Sequence, residues 1–182
     1  MPTSDESRPF VPVNIAVLTV SDTRTLEDDK SGQILVDRLQ AAGHTLAARA
    51  IVKDDVAAIQ AQLRSWAEDA GIDAIISTGG TGLTGRDVTP EAAEPLFEKK
   101  MDGFSYAFHR ISYDKIGTST VQSRVTAGVV NATYVFCLPG SPGACKDGWD
   151  GILEGQLDYR HMPCNFVEIM PRLDEHMQRT KG

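Results

Sequence analysis

The chain has 182 residues, of which 41% are hydrophobic and 24% charged, and its net charge is −7. This length and composition predict one globular domain, and the acidic balance argues against nucleic acid or an acidic membrane as the partner. No apolar run approaches the roughly 18 residues of a membrane helix, and the polar start has no signal core. With three cysteines and no disulfide pattern, we expect a reduced, soluble, cytoplasmic protein.

The first half of the chain predicts alternating strands and helices. Residues 1–12 are rich in proline, serine and acids, and we expect a flexible segment there, ahead of a single domain at 13–170. Short, strongly apolar runs predict buried strands at 13–20, 45–52 and 72–77. A helix is predicted between each two of these strands. Ser31 is the predicted cap of the first helix and Gly43 its closing residue; Asp54 or Asp55 is the predicted cap of the second and Gly71 its closing residue. This alternation predicts a mainly parallel sheet with right-handed crossovers.

The second half is less regular. Thr89 and Pro90 predict the cap and first position of a helix, which Pro95 must interrupt. The later predicted elements are a helix at 102–115, strands at 125–130 and 133–138, a long helix at 142–157, an extended stretch at 162–170 and a C-terminal tail at 171–182. Only Asn131 and Ala132 separate the two strands, so they must be antiparallel. The predicted fold class is therefore α/β with a mixed, mostly parallel sheet.

The loop after the third predicted strand contains the most informative motif, TGGTG. Ligands of open α/β sheets bind beyond the carboxyl ends of the strands. Glycines there let backbone N–H groups approach an oxyanion closely, and threonine hydroxyls add donors. The residues of this predicted phosphate site are Thr78, Gly79, Gly80, Thr81 and Gly82. A glycine-rich turn without a ligand is the alternative.

Two acids are placed to act at the same edge of the sheet. A carboxylate beside a phosphate is repelled unless a cation bridges the two groups, and Mg²⁺ is the usual bridge. Asp87 is therefore a candidate ligand of Mg²⁺, although it can equally cap a turn or pair with Arg86. Asp54 follows the second predicted strand and, read alone, is favoured as a plain helix cap.

Two further segments contain residues suited to binding an anion. Residues 117–124 place hydroxyls around an arginine that can make charge-assisted bonds to phosphate. The candidates there are Ser119, Thr120, Ser123 and Arg124. Residues 139–144 can form a second close-approach turn at a helix start, with Pro139, Gly140 and Ser141. The alternative for residues 117–124 is a polar edge or loop, and the alternative for residues 139–144 is an ordinary strand-to-helix turn without a ligand.

Four stretches of the sequence are distinctive: LTVSDTR, ISTGGTGLTGRDVTPEA, IGTSTVQSRVTAGVVNATYVFCLPGSPGAC and QLDYRHMPCNF. Together they resemble the molybdenum cofactor biosynthesis proteins of the MoaB and MogA type, which are similar to the G domain of gephyrin. TGGTG followed by RDVTPE is highly specific to this family, and IGTSTVQSR and PCNF resemble its B-type branch. The resemblance spans roughly residues 13–166, nearly the whole predicted domain.

The resemblance implies a three-layer αβα domain that assembles as a homo-oligomer, either a trimer or a hexamer. It also implies molybdopterin adenylyltransferase activity, in which the terminal phosphate of molybdopterin attacks the α-phosphorus of ATP with the help of Mg²⁺. GTP in place of ATP stays open. A non-catalytic pterin- or nucleotide-binding assembly protein, or another nucleotide-processing enzyme on the same fold, is the alternative.

The resemblance also assigns roles to residues of this chain. Catalysis and metal binding fall on Asp54 and Asp87. Nucleotide binding falls on Thr78, Gly79, Gly80, Thr81, Gly82, Pro139, Gly140 and Ser141. Molybdopterin binding falls on Ser119, Thr120, Ser123, Arg124, Ser21 and Asp22. The chain departs from the pattern at Ser141, where many adenylyltransferases have Asn or Gln, whereas it retains the RDVTPE residues whose loss accompanies catalytic silence in some B-type relatives.

Overall fold

A mixed sheet forms the centre of the fold in the computed structural model, which describes residues 3–178. The strands of this part of the chain are β1 (Thr3–Ser4), β2 (Asn14–Val20), β3 (Thr45–Val52), β4 (Ala74–Thr78), β5 (Lys99–Lys100), β6 (Thr126–Val130), β7 (Thr133–Leu138) and β8 (His161–Met162). Its α-helices are α1 (Lys30–Ala41), α2 (Val56–Ala67), α3 (Thr89–Ala93), α4 (Asp102–Ile116), α5 (Pro142–Gly148), α6 (Glu154–Gln156), α7 (Phe166–Ile169) and α8 (Glu175–Gln178). Short 3₁₀ segments cover Glu94–Leu96, Gly117–Gln122 and Met170–Arg172, and a π-helical turn covers Trp149–Leu153.

The central sheet has the strand order β3-β2-β4-β7-β6-β5. Strands β3, β2, β4 and β7 run parallel, whereas β6 is antiparallel to both of its neighbours. Asn131 and Ala132 join β6 to β7 with φ angles of 46° and 61°, the left-handed pair that a tight two-residue hairpin needs. The predicted mixed, mostly parallel α/β sheet is confirmed.

Helices cover both faces of this sheet. Along β2, Ile15 and Val17 belong to one buried cluster and Ala16 and Leu18 to the other, as the two-residue period of a strand requires. The first cluster includes residues of α1, α4 and α5, and the second includes residues of α2 and α3. Burial on both faces explains why the central strands are continuous apolar runs. The three-layer αβα architecture is thereby confirmed.

Helix α1 is capped by Asp29 rather than by Ser31. The Asp29 carboxylate accepts a hydrogen bond from the backbone N–H of Gly32 at 2.9 Å. The Ser31 hydroxyl instead donates to the carbonyl of Gly140 at 2.8 Å, so it ties α1 to the loop after β7. The predicted cap is wrong because the partner of Ser31 is distant in the sequence. Gly43, with a φ angle of 93°, closes the helix as predicted.

Helix α2 is capped by Asp55, whose carboxylate accepts a hydrogen bond from the backbone N–H of Ala58 at 2.8 Å. This resolves the choice between the two aspartates and leaves the Asp54 side chain without a capping role. The helix ends at Ala67 instead of continuing to Gly71. The extension was wrong because Asp69 forms a turn of its own, in which its side chain accepts a hydrogen bond from the Gly71 N–H at 2.8 Å.

The longer remaining elements follow the prediction, whereas the short strands β1, β5 and β8 were not predicted. Pro95 interrupts the helix after α3, α4 covers the predicted helix at 102–115, and the helix predicted at 142–157 consists of α5, the π-helical turn and α6. Residues 162–170 are not an extended stretch, as was predicted, because Asn165 caps α7 by accepting a hydrogen bond from the Glu168 N–H at 2.8 Å.

The described residues of the N-terminal segment contact the rest of the fold. Strand β1 pairs antiparallel with β8. The guanidinium of Arg8 lies 4.8 Å from the centre of the Tyr159 ring, and the Phe10 ring lies 5.2 Å from that of His44. These partners come from distant parts of the chain, and the flexibility expected at 1–12 stays a prediction.

Residues 1, 2 and 179–182 lie outside the described residues, and the last four belong to the predicted tail at 171–182. Within residues 3–178, we find no helix with both the length and the apolar character to cross a lipid bilayer. Cys137, Cys145 and Cys164 are free thiols, and the first two are buried.

Candidate active site

The strand order creates a topological switch point between β2 and β4. Strand β3 lies on one side of β2 and β4 on the other, because the chain runs from β2 to β3 and then crosses back over β2 to β4. Helices α1 and α2, which make these two connections, pack on opposite faces of the sheet. Ligands of open α/β sheets bind in the crevice beyond the carboxyl ends of such strands. A cavity of about 260 Å³ lies there, lined by residues that follow β2, β3, β4 and β7. The fold therefore places a candidate site where the sequence analysis expected one.

This cavity brings several of the predicted site residues together. Those that line it are Ser21, Asp54, Thr78, Gly79, Gly80, Asp87 and Gly140. The predicted residues outside its wall are Asp22, Thr81, Gly82, Pro139, Ser141, Ser119, Thr120, Ser123 and Arg124. The ends of the four parallel strands thus converge, whereas the hydroxyl-rich segment 117–124 does not enter the cavity.

The glycine loop after β4 has a backbone that side chains would block. Gly79 has a φ angle of 104°, and a Cβ atom on it would lie 2.3 Å from the carbonyl oxygen of Val20. Gly80 has a φ angle of 66°, and its Cβ would lie 2.3 Å from Oγ1 of Thr89. Both positions therefore require glycine, for conformation and for space. The loop can consequently present bare backbone to a ligand.

The two threonines at the ends of this loop have structural roles that the sequence did not show. The Thr78 hydroxyl is fully buried and donates to the carbonyl of Pro139 at 2.9 Å, so it does not serve as the predicted phosphate donor. The Thr89 hydroxyl donates to the carbonyl of Gly79 at 2.8 Å instead of capping α3, and its N–H donates to Gly80. These bonds hold the loop against its neighbours.

Asp54 lies in an acidic part of the cavity. Its backbone N–H donates to Oδ1 of Asp22 at 3.3 Å. Partial burial raises the pKa of the Asp54 carboxyl above its ordinary value, and the nearby carboxylates of Asp22 and Asp87 raise it further. Arg86 offsets part of this effect and pairs with Asp22 at 3.3 Å. Ionisation of the Asp54 carboxyl is therefore less favourable than that of an exposed aspartate.

Asp87 has the opposite electrostatic environment. Its Oδ2 accepts hydrogen bonds from the hydroxyl of Thr84 at 2.6 Å and from the Thr84 N–H at 2.9 Å. These bonds lower the pKa of the Asp87 carboxyl, and the positive charge of Arg124 contributes in the same direction. The same carboxylate lies 2.8 Å from where a Cβ on Gly82 would be. Asp87 is thus an ionised group packed against the glycine loop.

The two acids have the chemistry of a magnesium site. Mg²⁺ keeps several of its waters and is held by one or two carboxylates together with substrate phosphates. Across residues 3–178, no cluster of three or more His, Cys, Asp or Glu side chains is placed to hold a metal by itself. A site in which two carboxylates and the phosphate oxygens of a substrate hold the metal together agrees with this coordination preference and with the lack of a larger cluster in residues 3–178. A cation there would also relieve the repulsion that raises the pKa of Asp54.

Arg124 contacts the protein itself rather than the cavity. Its guanidinium donates to the carbonyls of Gly82 and Asp87 and forms an ion pair with Glu91. The prediction of a direct anion contact through Arg124 is therefore not favoured by this geometry. Its neighbour Ser123 accepts a hydrogen bond at its carbonyl from His109.

The other hydroxyls of the 117–124 segment differ in exposure. Ser119 is exposed, whereas Thr120 is buried and its hydroxyl has no hydrogen-bond partner among the described residues. Both lie outside the wall of the cavity.

Five residues of the cavity wall were not predicted as site residues: Thr19, Val20, Arg24, Asp29 and Ser31. Asp29 is only 3% exposed, accepts a hydrogen bond from the Thr19 hydroxyl at 2.7 Å, and pairs with Arg49 at 3.2 Å. Thr19 and Arg24 also line the cavity. Asp29 stands just before the apolar period of α1, where an acid is a common cap, and this signal could have identified it. Thr19 and Arg24 lie within the distinctive LTVSDTR stretch.

The fold and the cavity define an open α/β protein whose candidate ligand site lies at a topological switch point. A family model described as "Probable molybdopterin binding domain" matches residues 16–159. The chain therefore belongs to this family, the MoaB and MogA type of molybdenum cofactor biosynthesis proteins, and the resemblance noted from the sequence is confirmed.

Curated relatives agree with this assignment. The chain is 48% identical over 163 residues to molybdenum cofactor biosynthesis protein B of Escherichia coli K12, covering 90% of this chain and 96% of that protein. It is also 48% identical over 135 residues to the protein of the same name from Bacillus subtilis strain 168, covering 74% of this chain and 79% of that protein.

Solved structures show the same fold. A crystal structure of molybdenum cofactor biosynthesis protein B superposes with a TM-score of 0.83 at 36% identity, covering 92% of this chain and 99% of that one. The tungsten cofactor synthesizing protein MoaB from Pyrococcus furiosus superposes with a TM-score of 0.68 at 31% identity, covering 93% and 96%.

Proposed function

We propose that this protein is a cytoplasmic molybdopterin adenylyltransferase, which transfers AMP from Mg-ATP to the terminal phosphate of molybdopterin. Family membership supports a role in molybdenum cofactor biosynthesis. The observation that carries the proposed reaction is the position of two acids at one cavity. Asp54 lies against Gly80 of the glycine loop and Asp87 against Gly82, at the switch point of the sheet.

The chemistry of this transfer suits such a site. The nucleophile is an anionic phosphate, so little general-base catalysis is required, and the main tasks are positioning and neutralisation of charge. A phosphate oxygen of molybdopterin forms a bond to the α-phosphorus while the bond to pyrophosphate breaks. Mg²⁺ supplies neutralisation of the phosphate charge when it is bound. Asp87 and Asp54 would hold it, directly or through water, and Asp54 can alternatively orient the phosphate of molybdopterin.

The size of the cavity limits what it can hold. Pockets for whole drug-sized ligands measure about 300–1,000 Å³, whereas this cavity measures about 260 Å³. We therefore assign the phosphates and the metal to the cavity, with the guanidinium of Arg24 as a phosphate donor. Ser21, in the cavity wall, stays as a proposed contact for molybdopterin, together with Asp22, Ser119, Thr120 and Ser123 outside the cavity. ATP is the proposed co-substrate, and GTP is the alternative.

Helix α4 supports the proposed assembly into trimers or hexamers. Tyr106, Tyr113 and Ile116 are exposed along this helix, with Tyr106 73% accessible. Large apolar side chains at spacings of seven and three residues lie on one side of a helix, and such a surface is typical of an interface. The mass of the native protein in solution, measured by light scattering, tests this part of the proposal.

The reaction is tested by measuring pyrophosphate release from ATP in the presence of molybdopterin and Mg²⁺. We expect the Asp87→Asn and Asp54→Asn variants each to lower kcat on the order of 100-fold, with a smaller effect on ATP binding. Asp55→Asn is the matched control, because it removes the same charge one residue from Asp54 and asparagine caps a helix as well as aspartate does.

Three results would contradict the proposal. Full turnover by Asp87→Asn would remove the proposed role of that carboxylate. ATP or molybdopterin binding without any pyrophosphate release by the unmodified protein would instead favour a binding protein of the cofactor pathway. Turnover of another nucleotide without a pterin would favour a different enzyme on the same fold.

A further inference from the structure

The loop that contains Asp87 has little packing of its own. Residues 83–86 are all exposed, and Leu83 and Arg86 are among them. Inside the loop, the Asp87 carboxylate accepts hydrogen bonds from Thr84 and from the backbone of Gly82, and the Asp87 N–H donates to the Thr84 carbonyl. Such bonds shape the loop but do not fix its place relative to the sheet. Its position must therefore depend on contacts from outside, because exposed polar loops without buried side chains move readily.

Two arginines supply outside contacts: Arg86 of the loop pairs with Asp22 at 3.3 Å but is largely exposed, whereas Arg124, just before β6, makes several hydrogen bonds to the loop. Its Nε donates to the carbonyl of Gly82 at 2.8 Å, and its Nη2 donates to the carbonyl of Asp87 at 2.7 Å. Its own backbone N–H donates to the carbonyl of Thr81 at 2.9 Å. The guanidinium also pairs with Glu91, in the first turn of α3. The Arg124 side chain is thus hydrogen-bonded to both ends of the 82–87 loop.

The direction of these bonds matters for what Arg124 does. Two N–H groups in the rigid plane of the Arg124 guanidinium donate to the carbonyl oxygens of Gly82 and Asp87. A lysine has a single ammonium on a flexible stem and does not reproduce this fork. The side chain is 30% accessible, so these bonds are partly shielded from water and stronger than fully exposed ones.

We infer that Arg124 is a positioning residue, which fixes the 82–87 loop so that the carboxylate of Asp87 stays at the cavity. This inference rests on the proposed function for its catalytic consequence. It differs from the role that the family resemblance implies, since Arg124 acts on the protein and not on an anionic ligand. It also connects the 117–124 segment, expected on the molybdopterin side, to the loop on the nucleotide side.

A double-mutant cycle tests whether Arg124 acts through Asp87. The cycle uses the single variants Arg124→Met and Asp87→Asn and the double variant that combines them. The pyrophosphate assay gives kcat and KM for Mg-ATP for each. A small misplacement of a catalytic group can cost on the order of 100-fold in rate, so we expect that loss in kcat for Arg124→Met alone. In the Asp87→Asn background, the further loss should be less than about threefold, because the group being positioned has already lost its charge. Additive losses would overturn the inference.

Hydrogen exchange gives a test that does not need activity. In Arg124→Met, the amides of residues 82–88 should exchange faster, while those of β2 and β4 keep their protection. Arg124→Lys should show the same change to a lesser degree, and it also serves if the methionine variant fails to fold. Unchanged exchange of 82–88 in a folded variant would overturn the inference even if the protein is an adenylyltransferase.

The matched control is Arg38→Met, which removes another arginine with two bonds to a distant partner. Its Nε and Nη2 lie 2.6 and 2.9 Å from the carboxylate of Asp150, away from the cavity. We expect no change in exchange at 82–88 for this variant, and an equal change there would attribute the effect to general destabilisation and overturn the inference. If the unmodified protein lacks adenylyl transfer, the proposed function fails, while the exchange experiment still decides the role of Arg124.

Discussion

Oδ1 of Asp54 lies 3.1 Å from the point where a Cβ atom on Gly80 would stand. The acid after β3 is therefore in contact with the backbone of the loop after β4, and it reaches that position only because residue 80 has no side chain. Strand order explains the encounter, since β3 and β4 flank β2 and end at the same edge of the sheet. The contact between Asp54 and Gly80 places the proposed magnesium site directly beside the glycine loop.

The Gly80→Ala variant should lose both stability and affinity for Mg-ATP. The new Cβ would lie 2.3 Å from Oγ1 of Thr89, and the φ angle of 66° disfavours any residue with a Cβ. We expect a loss of about 1–3 kcal/mol in the free energy of unfolding, measured in urea. Gly103→Ala, in α4, is the control: no atom lies within 4 Å of its added Cβ, and alanine should stabilise the helix by up to about 1 kcal/mol. Equal stability of the two variants would contradict the argument.

The Asp54→Asn variant should be more stable than the unmodified protein at pH 7. Burial and the neighbouring acids Asp22 and Asp87 raise the pKa of Asp54 in the folded state, so the folded protein penalises its charge. A group of this kind contributes stability below its unfolded pKa and loses it as the pH rises through the folded pKa. The gain in Tm from the asparagine should therefore shrink as the pH is lowered. A variant that is less stable at pH 7 would show that Asp54 has a structural role instead.

The Asp22→Asn variant should lower the pKa of Asp54. Repulsion from Asp22 is one cause of the raised value, and an asparagine oxygen can still accept the hydrogen bond from the Asp54 N–H. Titration of the Asp54 carboxyl by NMR measures the shift. An unchanged titration midpoint would mean that Asp22 does not contribute, and that burial and Asp87 account for the raised pKa.

The protein should become less stable as the pH falls below about 6.5, the ordinary pKa of histidine. Burial lowers the pKa of His44, whose Nδ1 accepts a hydrogen bond from the Val13 N–H at 3.2 Å. The unfolded state therefore binds a proton that the folded state resists, and stability is lost as the pH decreases through this window. His44→Asn keeps an acceptor near Nδ1 but does not titrate. Unfolding curves from pH 5 to 8 should be flatter for this variant, and an identical slope would show that other groups dominate.

The Phe10→Ala variant tests the docking of the N-terminal segment. The Phe10 ring packs beside His44, and the guanidinium of Arg160 lies 5.3 Å from its centre. Loss of this half-buried ring should cost about 1–2 kcal/mol in the free energy of unfolding. A flexible segment would give no measurable change, so a neutral result would support the expectation from the sequence.

The sequence by itself determined the elements and the chemical character of the site. Buried strands, hairpin residues such as Asn131 and the closing Gly43 are set by local rules of side-chain pattern and backbone conformation, and these operate over a few residues. Local pattern also identified the glycine loop, because a ligand site of an open sheet must follow the strand ends. For Asp54 it favoured a helix cap and for Asp87 it left a turn cap equally open, so the family resemblance was needed to propose a catalytic role for both.

Only the tertiary structure decided which groups meet. Ser31 bonds to a loop more than 100 residues away and so leaves the cap to Asp29, Thr89 anchors Gly79, and Arg124 contacts the 82–87 loop instead of an anion. Each of these hydrogen bonds joins segments that strand order and crossovers place side by side. A donor that is suited to several acceptors takes the one that folding brings within about 3 Å, and no local pattern specifies that choice.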